Sequence, residues 1–186
     1  MNLITKRVHM NRCNGREVKQ LTLDRDFNVP DARPDALQIM KEQGEVQIEE
    51  VHMMEGKASV KGLLHFQILY ASDGDIPVSE MTGTIPFEET ISLPQAKAED
   101  EISVQAEIGD LKSELINSRK LGMKAIVVLN VTAGSVCDGE GAIDIEGGED
   151  IYTKKRTAEV SYLVFSKKDT LRVRDEWKIP GTKDAM

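Results

Sequence analysis

The amino-acid sequence predicts a mostly-β protein, an antiparallel β-sandwich or barrel-like pair of sheets with one short α-helix near residues 34–42. Two observations support this prediction. Apolar residues recur at every second position in several stretches, which is the period of a strand with one buried face. Turn-forming residues separate these stretches. With 186 residues, 40% of them hydrophobic, the chain can bury a core, so we treat 1–186 as a single β-rich module.

The strand pattern is clearest in the middle of the chain. From Ala58 to Tyr70, and again from Ile102 to Ile108, apolar and polar residues alternate, which predicts half-buried strands. From Ala125 to Val131 both faces are apolar, which is typical of a central strand.

Turn signals divide these strands. Gly56, in the sequence Met54-Glu55-Gly56-Lys57, suits a tight turn because glycine tolerates positive φ. Asn14-Gly15 predicts a hairpin that joins Ile4–Met10 to Glu17–Leu23. The stretch 137–150 is rich in Gly and acidic residues and predicts an exposed loop.

The helix prediction rests on end signals. Pro34 suits a first helical turn, Asp35 lies where the helix dipole favours an acid, and Gly44 would follow the last turn. Leu37 and Met40 are spaced to form its inner face.

Residues 26–37 and residues 176–186 show a weak sequence similarity to each other. Each copy follows a hairpin pattern and has a β-branched residue before a proline. Either the match is chance, or 175–186 is the start of a second copy of the module.

Charge and composition exclude several classes of function. A formal net charge of -8 disfavours nucleic-acid binding, which depends on Lys and Arg. No apolar stretch is long enough to span a membrane, and the N-terminal residues do not form a signal peptide, so we expect synthesis in the cytoplasm. Cys13 and Cys137 are expected to be reduced thiols.

No catalytic or metal-binding pattern emerges, and we predict neither an enzyme nor a cofactor. The three histidines, His9, His52 and His65, lack a nucleophile motif around them. The two on neighbouring strand patterns, His52 and His65, could face each other, but polar-face histidines of a sheet are the simpler interpretation. The acidic loop offers oxygen ligands for calcium without the spacing that arranges them, so a solvated loop is preferred.

The run from Val29 to Asp35 reads VPDARPD. It resembles the V-P-D-x-[KR]-P-D motif that opens the SPOCS domain of SipL-type spore-envelope proteins. The run from Leu115 to Leu121 (LINSRKL), with Lys124–Val127 after it, resembles its most recognisable stretch. Between the two, Phe66–Tyr70 and Ile85–Phe87 match in kind and order, so the SPOCS-like core covers 26–133.

This resemblance implies a non-catalytic structural module that mediates protein–protein contacts in bacterial spore-coat morphogenesis. Its partners would be other spore-envelope proteins, including a coat-basement ATPase for a full-length protein. Synthesis would be in the mother cell, and the protein would act at the forespore or spore surface. Family members often carry a C-terminal LysM, which this chain lacks, so functions residing in LysM are not implied. The alternative is a module that binds cell-wall carbohydrate (peptidoglycan).

The motif residues have two interpretations, fold stabilisation and partner binding, and the first is favoured. Arg119 is expected to pair with a carboxylate such as Asp31 or Asp35, and Asp31 is expected to cap the helix. Trp177 is expected to be a core or interface anchor. The candidate residues are Val29, Pro30, Asp31, Pro34, Asp35, Asn117, Ser118, Arg119, Lys120 and Trp177.

Overall fold

The computed structural model describes residues 2–73 and 77–147, together with Lys154, Arg156, Thr157 and Glu159. This part of the chain folds into two three-stranded antiparallel sheets, with strand orders β1-β6-β5 and β2-β3-β4. The strands are β1 (Asn2–Asn28), β2 (Asp35–Met54), β3 (Lys57–Asp73), β4 (Val78–Ser92), β5 (Glu101–Asn117) and β6 (Lys120–Glu146). The mostly-β prediction is confirmed, and none of the described residues is helical.

The two sheets pack face to face through their central strands, β3 and β6. Alternate residues of β3 from Ala58 to Ser72 are buried, as the period-two pattern predicts, and the large apolar ones among them are at most 3% exposed. Alternate residues of β6 from Leu121 to Ala133 are buried as well. Because each sheet buries only one face, the outward residues of β6 between Lys124 and Asn130 are half-buried or exposed rather than covered on both sides.

The core consists of two apolar clusters, each built from both sheets. One contains Val60, Val127 and Leu129, and the other contains Leu64, Tyr70 and Leu121. The edge strands meet on both sides of the sandwich. The Oγ of Ser113 on β5 donates to Glu42 on β2 at 2.9 Å, and Lys19 on β1 pairs with Glu89 on β4 at 3.2 Å.

The helix predicted near residues 34–42 is wrong, because Asp35–Met54 form strand β2. Two β-bulges explain the misleading pattern. The register against β3 shifts at Leu37 and again at Met40, so each of these residues is an extra one in its strand. Because these two extra residues lie three positions apart, the inward-facing residues around them recur at every third position instead of every second. This spacing resembles that of a helix. Both side chains are exposed, at 59% and 60%.

The hairpin predicted at Asn14-Gly15 is also wrong, because β1 runs without a turn from Asn2 to Asn28. Gly15 does not adopt positive φ, which a tight hairpin turn of this kind requires. Asn14 is instead the bulged residue where the register with β6 shifts. Its side-chain amide donates to both carboxylate oxygens of Asp100, at 2.9 and 3.0 Å, and to Ser135 at 2.9 Å.

Residues 137–146, expected in an exposed acidic loop, form the last part of β6. They pair with the first residues of β1, where Arg7 lies opposite Glu140 and His9 opposite Asp138. Arg7 also pairs with Asp138 at 3.9 Å, and cross-strand contacts of this kind stabilise a segment whose glycines and acids resemble a loop. The rest of that stretch, Gly148–Asp150, lies outside the described residues, as do the proposed repeat start at 175–186 and Trp177.

The turn predicted at Met54–Lys57 is confirmed. Gly56 has φ of 70°, and the turn joins β2 to β3. The N–H of Gly56 donates to the carbonyl of Ala96 at 2.9 Å, and the N–H of Leu93 donates to Gly56 at 2.8 Å. These two bonds fasten the hairpin to the segment between β4 and β5.

Asp100 gives the first testable prediction, which concerns pH. It is 6% exposed, and the hydrogen bond from the N–H of Lys97, followed by the amide of Asn14, lowers the pKa of its carboxyl below the ordinary 3.8. A lowered folded-state pKa stabilises the fold above the unfolded-state pKa, and this contribution disappears as the pH falls through the folded-state pKa. Asp100→Asn should therefore destabilise the protein at pH 7, and the deficit should shrink below about pH 4.

Urea unfolding of both proteins between pH 2 and pH 7 measures that deficit. Asp110→Asn is the control for an exposed carboxyl whose pKa is lowered by one lysine, Lys112, through a hydrogen bond of 2.9 Å. A deficit for Asp100→Asn that stays constant down to pH 2 would contradict the assignment.

Candidate functional site

The motif residues meet at one corner of the sandwich, where β1 passes to β2 and β5 turns into β6. Proline is suited to ending a strand because it has no N–H to donate, and β1 ends at Asn28, just before Val29-Pro30. The N–H of Arg33 donates to the carbonyl of Pro30 at 2.9 Å, which closes a turn. On the other side, Ser118 and Arg119 form the turn between β5 and β6.

Arg119 is at the centre of this corner. Its guanidinium donates to three carbonyl oxygens and two carboxylates: Arg33 at 2.7 Å, Pro30 at 3.1 Å, Val29 at 3.2 Å, Asp35 at 3.1 Å and Asp31 at 3.3 Å. The planar fork of arginine suits this task because it presents several N–H donors in fixed directions. The predicted pairing with a carboxylate is therefore present, and both named acids take part.

Backbone bonds reinforce the corner. The N–H of Val29 donates to the carbonyl of Arg119, and the N–H of Ala36 donates to the carbonyl of Ser118, both at 2.8 Å. The side chain of Asn117 accepts the N–H of Arg119 at 2.9 Å and shapes the turn. Together these bonds place the end of β1 and the start of β2 against the turn between β5 and β6.

The predicted helix cap at Asp31 is wrong, because no helix follows it. The Asp31 side chain is fully exposed and contacts Arg119. Pro34, expected in a first helical turn, instead accepts a hydrogen bond at its carbonyl from the buried Tyr70 hydroxyl, at 3.3 Å. Lys120 pairs with Asp26 across β1 and β6 at 2.6 Å.

Three exposed apolar side chains lie near this corner, and the sequence pattern did not predict their exposure. Leu37 and Met40 are the two exposed bulge residues of β2, and Val78, at the start of β4, is 43% exposed. Leu37 and Met40 are out of step with the strand period, and only the bulges reveal that they face outward. In the strand register, Ala71 of β3 lies between Val78 and Gln38, the residue after Leu37. We refer to Leu37, Met40 and Val78 as the apolar patch.

Outside this corner, the described residues bring no catalytic set together. His52 contacts Glu50 at 2.6 Å and His65 contacts Thr84 at 3.3 Å, while their strand partners are Ser59 and Glu45. The expectation that the two histidines could face each other is therefore wrong. The hydrogen bond from His52 lowers the pKa of Glu50, and both side chains are largely exposed.

Among the residues that the structure describes, no group of three or more His, Cys, Asp or Glu side chains could hold a metal ion. No helix there has the length and apolar character needed to cross a membrane. The aromatic rings in these residues are buried or half-buried, and Phe27 packs edge-on against Phe66 with ring centroids 4.6 Å apart.

The fold and the corner define a two-sheet β module in which Arg119 joins the start of β2 to the turn after β5. Comparison with protein families agrees with the resemblance found in the sequence: the model of the SPOCS domain of SipL matches residues 35–116. The resemblance is confirmed for this segment, which spans β2 to β5 and relates the chain to a family of sporulation proteins. No curated protein and no solved structure matches.

Proposed function

We propose that this chain is a non-catalytic assembly module that holds spore-envelope proteins together during coat morphogenesis. The observation that carries the proposal is the SPOCS match over residues 35–116. The partners are other spore-envelope proteins, and the site of action is the forespore or spore surface.

The apolar patch is the contact surface that we assign to this function. Leu37 and Met40 lie within a few residues of Asp35, which Arg119 holds at 3.1 Å. Arg33 reaches from the same corner to Glu80 on β4, at 3.8 Å, so charged groups border the patch. Exposed apolar side chains with a polar rim are the usual composition of a protein–protein contact. The occupant is another protein of the spore envelope.

The experiment that tests the function is deletion of the encoding gene in its spore-forming host, followed by thin-section electron microscopy. We expect coat material detached from the forespore, and we expect the wild-type gene to restore attachment. Normal coats in the deletion strain would overturn the proposal. Binding of the purified chain to peptidoglycan sacculi would favour the carbohydrate-binding alternative instead.

Complementation with a patch variant tests the assigned surface separately. Leu37→Glu with Met40→Glu should abolish forespore localisation of a fluorescent fusion, because charge opposes burial in a contact. The matched control is Val18→Glu, which changes a side chain on β1 that is 53% exposed. Both variants should unfold within about 0.5 kcal/mol of the wild type, since exposed substitutions have small effects. Wild-type localisation of the patch variant would exclude this surface and leave the deletion result standing.

A further inference from the structure

A second surface stands apart from the corner, at the opposite ends of β1 and β6. Residues Asn2–Arg12 and Ser135–Glu146 form a two-stranded ribbon that extends past the start of β5, because Glu101 is paired with Gly134. Among the described residues, nine large apolar side chains are exposed, and four of them belong to this ribbon: Leu3, Met10, Val136 and Ile143. An isolated two-stranded ribbon is marginally stable in water, so a further element against it would be expected.

The ribbon has two edges without a strand partner among the described residues, and their charges differ. Between Ser135 and Glu146, β6 carries acidic residues and neither lysine nor arginine. The paired part of β1 carries Lys6, Arg7 and Arg12. Because opposite charges favour pairing between adjacent strands, a strand with basic flanks fits the β6 edge and would be repelled at the β1 edge.

We propose that the β6 edge between Ser135 and Ala142 receives residues 160–165 of this same chain as an added antiparallel strand. These six residues, VSYLVF, are uncharged and follow a strand pattern, and they lie outside the described residues. Basic clusters flank them, at Lys154–Arg156 and at Lys167-Lys168. The added strand would continue the sheet at the position that β5 leaves open.

Chain connectivity favours this occupant over a foreign strand. Only residues 147–159 separate the end of β6 from the segment, so the chain is long enough to return antiparallel to β6. A tether of this length holds the segment at an effective concentration in the millimolar range. Covering the edge also removes a template for aggregation, which is how sheet proteins commonly protect long edges.

Amide hydrogen exchange of the full chain, resolved by NMR, tests the proposal. In dilute wild-type protein, we expect the amides of Ser135–Ala142 that do not bond β1 to exchange at least about a hundredfold more slowly than in an open strand. Tyr162→Pro should remove most of this protection, because proline has no N–H to donate to β6 and its ring disrupts the pairing of so short a strand. Lys178→Pro is the matched control and should leave it unchanged. Amides of β3 report whether the body stays folded.

Each of the other outcomes overturns the proposal. Edge amides that exchange as an open strand in the wild type would show that the segment does not dock. Equal protection in Tyr162→Pro and wild type would assign the protection to another group. Protection that rises with protein concentration would point to a second copy of the chain. Because the measurement uses purified protein, its result is independent of the coat phenotype that tests the proposed function.

Discussion

Replacing Arg119 by alanine is expected to lower the free energy of unfolding by about 2–3 kcal/mol. The loss comes mainly from the carbonyls of Val29, Pro30 and Arg33, which accept charge-assisted bonds from the guanidinium. The carboxylates of Asp31 and Asp35 contribute less, because both are substantially exposed and surface ion pairs are worth about 0–1 kcal/mol. Urea unfolding followed by circular dichroism measures the change.

Two controls separate geometry from charge. Arg119→Lys keeps the charge but lacks the planar fork, so it should recover less than half of the loss. Arg33→Ala removes only the exposed pair with Glu80 at 3.8 Å and should change stability by less than about 0.5 kcal/mol. If Arg119→Ala unfolds at the wild-type urea concentration, the corner does not depend on this side chain.

The position of Arg119 relative to the family match explains why one side chain has so large an expected effect. The match begins at Asp35 and ends at Ile116, which are the first residue of β2 and the residue before the last of β5. Arg119 holds Asp35, and the Arg119 N–H bonds to Asn117. The two ends of the matched segment are therefore joined at the point where β1 ends and β6 begins. Loss of the arginine would loosen both sheets at once.

The strand end and the turn that form this corner were predictable from the sequence, because both depend on local signals, whereas the helix expected after Asp31 was not formed. Val29-Pro30 ends a strand, and Asn117-Ser118 marks a turn. The number of acceptors around Arg119 was not predictable. Three of the five are backbone carbonyls, which every residue has, and only the folded geometry turns them toward the guanidinium.

The wrong predictions have a common cause: β-bulges and strand pairing are long-range features. Leu37 and Met40 are spaced as in a helix because each is an extra residue opposite β3. Asn14-Gly15 matches a hairpin turn, but Asp100 lies 86 positions away and binds the Asn14 amide. Local periodicity carries no information about these partners, so the sequence predicted the type of fold better than the boundaries of its elements.

Gly62→Ala is expected to destabilise the protein by about 3 kcal/mol, at the upper end of the range for overpacked cores. Alanine normally improves a strand position relative to glycine, so the expected sign is the reverse of the intrinsic preference. The reason is steric. A Cβ at Gly62 would lie 2.5 Å from the Phe87 ring and 2.6 Å from the backbone carbonyl oxygen of Gln47. The Phe87 ring could move aside. The Gln47 carbonyl cannot, because it is part of the hydrogen-bonded pairing between β2 and β3.

Gly83 and Gly141 provide the comparison that isolates the backbone contact. At Gly83 the three nearest atoms all belong to the Phe66 ring, so Gly83→Ala tests displacement of a side chain alone. At Gly141 no atom lies within 4 Å of the added Cβ, so Gly141→Ala should be neutral or slightly stabilising. Thermal and urea unfolding of the three variants should rank Gly62→Ala as the least stable and Gly141→Ala as the most stable. A Gly62→Ala protein as stable as Gly141→Ala would mean that β2 and β3 separate easily at this point, contrary to the packing between Phe87 and the ladder.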